Sequence, residues 1–87
     1  MLFYDASPDV IRRAPAHFPA HKARLDAFHA SGALLMVGTF GDPLTQGSMG
    51  IFTSRESAEE FVAGDPFVIN GVIEAWRIWE WNEVLAP

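Results

Sequence analysis

Two titratable residues, His21 and Asp65, are best suited by type and surroundings to acid–base chemistry. On a helix, His21 shares one face with apolar residues spaced three or four positions apart: Phe18, Leu25 and Phe28. An imidazole on such a face needs a hydrogen-bonding partner, because an unpaired buried polar group costs about 1–3 kcal/mol. The candidate partner is Asp65, which lies in a Gly-Asp-Pro-Phe turn. A carboxylate on one ring nitrogen fixes the tautomer, so the other nitrogen can exchange a proton with a substrate.

Each of these residues also has a purely structural interpretation. His21 would serve equally as a core histidine bonded to a backbone carbonyl, since most buried polar groups make structural hydrogen bonds. Asp65 precedes a proline, which is typical of a residue that caps the start of a helix. Capping and pairing are compatible, because a capping carboxylate can share an oxygen. His17 and His21 have the spacing of a metal pair, but no third ligand is apparent, so we expect neither a metal nor a cofactor.

The elements that would position the pair follow the order βαββαβ. The predicted strands cover residues 2–4, 33–38, 48–52 and 72–81, and the apolar run 33–38 suits a strand buried on both faces. Pro15 is expected to end a first short helix, and Pro19 to start a longer one that runs to about Ser31. The next helix begins at Thr53 or Ser54. We therefore predict an α+β, ferredoxin-like fold: a four-stranded antiparallel sheet with its helices on one face.

Length and composition limit the class of protein. The 87 residues predict a single domain over 1–87. A net charge of -5 and scattered Lys and Arg argue against nucleic-acid binding. No apolar run approaches the roughly 20 residues of a membrane span, and the first residues do not resemble a signal peptide. With no cysteine, which fits a reducing compartment, we expect a cytoplasmic protein without membrane association.

The last predicted strand indicates self-association. Residues 72–81 place apolar or aromatic side chains on both strand faces and include the three tryptophans Trp76, Trp79 and Trp81. One layer of helices covers one face of a sheet, so a strand that is apolar on both faces indicates a second layer. Another copy of the chain provides it most simply. We therefore expect a homodimer or a higher homo-oligomer.

Short motifs between residues 19 and 72 occur together in a recognisable order. They are Pro19-Ala20-His21, Ala23-Arg24-Leu25, Gly32-Ala33-Leu34-Leu35 with Gly38, Ser54 with Ala58, Asp65-Pro66-Phe67, and Gly71-Val72. In this order and spacing the chain resembles the YCII-like family. The resemblance implies a ferredoxin-like fold that dimerises face to face as a dimeric α/β-barrel, with a cleft where His21 and Asp65 meet. Family members often carry an Arg where this chain has Phe18; Arg24 and Arg13 are the candidate replacements.

From these features and the resemblance we expect a small dimeric enzyme that moves a proton on a small organic substrate, as in elimination or isomerisation. His21 would be the acid or base and Asp65 its orienter. Substrate contacts are expected from Arg24, Gly38, Thr39 and Ser48. The alternative is a non-catalytic module of the same fold that binds a small ligand or a partner, which the Phe18 substitution favours.

Overall fold

The computed structural model describes residues 1–82 and residue 84, and it shows an α+β fold built on a four-stranded antiparallel sheet. The strands are β1 (Leu2–Ala6), β2 (Leu34–Thr39), β3 (Ser48–Phe52) and β4 (Ile73–Ile78). The helices are α1 (Val10–Ala30), α2 (Pro43–Gln46), α3 (Arg55–Gly64) and α4 (Pro66–Ile69). The sheet order β2-β3-β1-β4 is that of a ferredoxin-like fold. The predicted fold class is therefore confirmed; positions 83 and 85–87 of the predicted domain lie outside the described residues.

The core lies between the sheet and the helices. β1 is a central strand, in which Leu2 pairs with Gly50 of β3 on one side and with Ile78 of β4 on the other. Because strand side chains alternate, Leu2 and Tyr4 point together toward the helices. They join a cluster of buried residues: Leu2, Tyr4, Ala58, Phe61, Val62 and Ile78. A buried Tyr within this cluster is the first sign that the core contains a polar centre.

Helix α1 differs from the prediction, because it is continuous from Val10 to Ala30 with Pro15 and Pro19 inside it. Each proline removes one backbone donor and leaves the carbonyl four residues earlier without its helical partner. Those carbonyls belong to Ile11 and Pro15, and both residues and Pro19 are exposed. Water can therefore bind the freed carbonyls, and the helix continues. The break predicted at Pro15 was wrong, and the continuity sets His21 in the middle of one long element.

Strands β2 and β4 also depart from expectation. The residue Leu34 of β2 is buried, but the rest of this edge strand is exposed in the single chain, so burial on both faces was wrong. β4 ends at Ile78, short of the predicted Trp81. The helix layer does not cover the far end of β2, and a gap opens there beside α1.

The sheet face opposite the helices is uncovered in the single chain. We call it the open sheet face; its side chains include Phe3, Asp5, Met36, Met49, Ile51, Arg77 and Trp79. Asp5 pairs with Arg77 on this face at 3.3 Å. The rings of Phe3 and Trp79 meet edge to face with centroids 5.6 Å apart. The Arg77 guanidinium lies over both rings, 4.8 Å and 5.6 Å from their centroids. This face is thus mostly apolar, with one cation held on its aromatic residues.

Candidate functional site

The carboxylate of Asp65 is completely buried and is hydrogen-bonded to three groups. Asp65 follows α3 directly and caps α4, because its Oδ1 accepts from the backbone N–H of Phe67 at 3.1 Å. The same oxygen lies 2.7 Å from Nδ1 of His21. The other oxygen, Oδ2, accepts from the hydroxyl of Tyr4 at 2.5 Å. Capping and pairing therefore occur together, and the His21–Asp65 pair expected from the sequence is present.

His21 lies on the buried face of α1. Asp65 holds its ring through Nδ1, and the Phe67 ring packs against its plane. Its plane is stacked on the Phe67 ring, with centroids 3.8 Å apart and an interplanar angle of 3°. With Nδ1 donating to Asp65, Nε2 is the acceptor nitrogen. Among the described residues, the buried side-chain polar atom without a partner is Ser7 Oγ. Nε2 makes no hydrogen bond to the described residues, and the ring lines a cleft.

Tyr4 is the member of the site that sequence reasoning missed. It lies on β1 and donates to Asp65 from the opposite side to His21. Burial, followed by the hydrogen bond to Asp65 and the charge of that carboxylate, raises the pKa of Tyr4 above its ordinary value. The phenol therefore stays protonated as a donor. The signal available in the sequence was that a tyrosine on the inward face of a buried strand needs an acceptor for its hydroxyl.

A cleft of about 270 Å³ opens beside His21, in the gap between α1 and β2. Most of its wall is apolar, formed by residues that include Phe18, Leu25, Val37, Leu44, Phe67 and Ile73. Its side-chain hydroxyls, apart from that of Tyr4, come from Thr39 and Ser48, which face each other on paired strands. A second, smaller recess of about 30 Å³ also has His21, Tyr4 and Ser48 in its wall.

The structure brings most of the expected site residues together. Gly38, Thr39 and Ser48 line the same cleft as His21, and Asp65 holds the His21 ring from behind.

Arg24 is not brought to this cleft. Its Nε donates to the carbonyl of Phe61 at 3.1 Å and its Nη2 to that of Glu60 at 2.7 Å. These carbonyls lie near the C-terminal end of α3, which carries the negative end of the helix dipole. Arg13, the other candidate, contacts Asp9 and the carbonyl of Asn70. Neither arginine lines the cleft, so the expected contact between Arg24 and a substrate gains no support from the geometry.

The described residues provide neither a cluster of metal ligands nor a membrane-spanning helix. No group of three or more His, Cys, Asp or Glu side chains in them is arranged to hold a metal ion. No helix in the described part of the chain is both long and apolar enough to cross a membrane.

Comparison with models of known protein families finds a match for this chain. The chain matches no curated protein. A model of the YCII-related domain matches residues 1–82 of the 87-residue chain. The match spans all four strands and both members of the His21–Asp65 pair. The chain therefore belongs to the YCII-related domain family.

Proposed function

We propose that this protein is a small homodimeric enzyme that moves a proton on a small organic substrate bound in the cleft. One observation carries the proposal: a fully buried carboxylate holds His21 Nδ1 at 2.7 Å, while the ring also lines the cleft. A carboxylate in this position orients an imidazole and stabilises the imidazolium that forms when the ring takes up a proton. His21 is thus the acid or base, and Asp65 is its orienter.

The proposed reaction begins with neutral His21, whose Nδ1–H donates to Asp65. Nε2 accepts a proton from a carbon next to a substrate carbonyl, and the electron pair of the broken C–H bond moves into an enolate. If the substrate also has a double bond one carbon further on, the enolate extends into a dienolate, and returning the proton to its far carbon moves the double bond and gives isomerisation. If a neighbouring carbon carries a leaving group, its departure with the bonding pair gives elimination. In both routes His21 handles the proton, and the enolate oxygen would accept a hydrogen bond from a donor such as the hydroxyl of Thr39 or Ser48.

Substrate contacts are proposed from the β2 and β3 side of the cleft. The hydroxyls of Thr39 and Ser48 can donate to a substrate oxygen or accept from it. Gly38 is proposed to offer its backbone to a substrate, because it lies in the cleft wall between Val37 and Thr39. These residues lie on paired strands, which hold them rigidly relative to one another.

We also propose that two copies pack through their open sheet faces. The support is the mostly apolar character of this face, with Met36 68% exposed in the single chain, since patches of this kind mark association sites. The chain has no cysteine, which supports assignment to a reducing compartment such as the cytoplasm.

The test is proton exchange in deuterated water. A panel of small carbonyl compounds with a C–H bond next to the carbonyl is incubated with the protein, and deuterium incorporation is followed by proton NMR. We expect exchange of at least one compound, and we expect His21→Gln to slow it by about a hundredfold or more, because general acid–base groups typically contribute 10²–10⁴-fold. His17→Gln, on the same helix but outside the cleft lining, is the matched control and should leave the rate unchanged.

Each outcome discriminates between the two functions. Equal rates in wild type and His21→Gln would remove His21 as the base. Binding of panel compounds in the cleft without any exchange would support the non-catalytic binding module instead.

A further inference from the structure

We propose that the cleft selects an uncharged, single-ring ligand carrying a hydrogen-bonding oxygen, and that Phe18 helps to set this selection. The inference rests on the proposed function for the location of the site. It concerns which molecules enter the cleft, whatever happens to them there.

The first support is the charge of the wall. Within the described residues, no Asp, Glu, Lys or Arg side chain lines the cleft. An ion moved from water into such a site leaves its hydration shell without meeting a permanently charged side chain, which is costly. The chain as a whole carries a net charge of -5, and its field adds to the penalty for an anion.

The second support is that the neighbouring arginines are already engaged. The two guanidinium donors of Arg24 bind the carbonyls of Phe61 and Glu60. Arg13 lies 3.5 Å from a carboxylate oxygen of Asp9. Recruiting either cation to a bound anion would break these contacts.

The third support is size. An apolar protein cavity of about 150 Å³ can hold benzene, and drug-sized ligands occupy about 300–1,000 Å³. The cleft, at about 270 Å³, lies between the two. It fits one ring with a small substituent.

The fourth support is the arrangement of aromatic and polar groups. The rings of Phe18 and Phe67 lie on the wall with centroids 6.4 Å apart, and Phe67 stacks on His21. Phe18 is 50% exposed and offers a flat apolar surface to a ring. The hydroxyls of Thr39 and Ser48 supply donors for an oxygen on that ring. The wall therefore suits a neutral aromatic or cyclic carbonyl compound.

Benzamide and benzoate test the selection, because they share a ring and differ in charge. Binding is measured at neutral pH from the NMR shifts of the backbone amides of Gly38, Thr39 and Ser48. We expect wild type to bind benzamide at least about tenfold more tightly than benzoate, a difference of about 1.4 kcal/mol. Phe18→Lys places a cation on the wall and should reduce this ratio by about tenfold.

Two further variants separate the cleft from the overall charge. Ile11→Lys adds the same charge to α1 at a position that is 74% exposed and outside the cleft lining, so it should leave the ratio unchanged. Val37→Lys, at a 53% exposed position on the wall, should act like Phe18→Lys and replaces it if that variant does not fold.

The proposal is overturned if wild type binds benzoate as tightly as benzamide, if neither probe shifts the three amides up to its solubility limit, or if Ile11→Lys changes the ratio as much as Phe18→Lys. Its failure is distinguishable from failure of the proposed function. Selective benzamide binding without proton exchange on any compound overturns the function alone. Exchange confined to charged substrates overturns the selection alone.

Discussion

At the scale of single residues, the Asp65 carboxylate accepts hydrogen bonds from a helix start, from a strand and from the candidate base. It caps α4 through Phe67, accepts from Tyr4 on β1, and holds His21 of α1. A buried carboxylate is costly unless its lone pairs are satisfied, and three donors satisfy it here. Loss of the Tyr4 hydroxyl would leave Oδ2 without a donor among these three groups, and an unsatisfied buried acceptor typically costs about 1–3 kcal/mol.

Tyr4→Phe is expected to change how the free energy of unfolding depends on pH. The pKa of Tyr4 is raised in the folded protein, whereas the unfolded phenol ionises near its ordinary value of 10.0. The stability that Tyr4 contributes is therefore complete below about pH 10 and is lost as the pH rises further, by up to about 1.4 kcal/mol per pH unit. Urea unfolding of wild type and Tyr4→Phe from about pH 8 to about pH 11 measures this slope.

The sequence contains one tyrosine, so no other phenol contributes to the comparison. Wild type should show the steeper loss of stability at high pH. Parallel curves for the two proteins would contradict the raised pKa of Tyr4.

His21 was predictable as a residue that needs a partner, because it lies on an apolar stripe, and Asp65 as a helix cap, because it precedes a proline. The resemblance to the YCII-like family added the expectation that the two meet. Tyr4 was not predicted as their partner, because its role depends on the tertiary approach of β1 to the end of α3. The contacts of Arg24 could not be predicted for the same reason, because the carbonyls that it binds lie 36 and 37 residues away along the chain.

At the scale of elements, the turn between α2 and β3 depends on Gly47. This residue has a φ of +79°, and a Cβ there would lie 1.9 Å from the backbone oxygen of Tyr4. Gly47→Ala is therefore expected to destabilise the protein by several kcal/mol, since both the backbone strain and the clash must be relieved. Chemical denaturation of wild type and the variant measures the change in the free energy of unfolding.

Gly41→Ala is the matched control, because its Cβ would meet Gln46 Oε1 at an ordinary 3.7 Å and its φ is not positive. It should change stability by no more than about 0.5 kcal/mol. A similar small effect for Gly47→Ala would show that β1 and the turn can separate at little cost.

The remaining differences between the predicted and the observed elements have local causes that the sequence pattern does not contain. Proline propensity predicted a break in α1, but exposure of the affected carbonyls decided the outcome. The turn-rich segment before Gly47 contains the short helix α2, which Asp42 caps by accepting from the Leu44 N–H at 3.2 Å. Exposure and capping contacts are set by the folded surroundings, which propensities do not include.

At the scale of the whole molecule, the fold was predictable, because elements in the order βαββαβ have few ways to form one antiparallel sheet.

Self-association of the whole chain remains a prediction. Light scattering during size-exclusion chromatography should give about twice 9.6 kDa or a higher multiple. Met36→Glu, on the open sheet face, should shift wild-type oligomers toward monomers, because it places a charge in the proposed interface.

Ile69→Glu is the control for this variant. Ile69 is 66% exposed, close to the value for Met36, but lies on α4 away from the open sheet face. It should leave the mass unchanged. A wild-type monomer, or equal effects of both substitutions, would remove the face-to-face dimer.

The three hydrogen bonds of Asp65 also affect how this protein can diverge over evolutionary time. Selection for folding alone would keep Asp65 and Tyr4 even in a descendant that had lost its activity, because both maintain the core. Substitutions that abolish or redirect function at little cost to folding should instead accumulate on the cleft wall, at Phe18, Thr39 and Ser48. Among relatives, we therefore expect the residues of the cleft wall to vary with the ligand that is bound. The buried carboxylate is expected to be kept whatever the ligand.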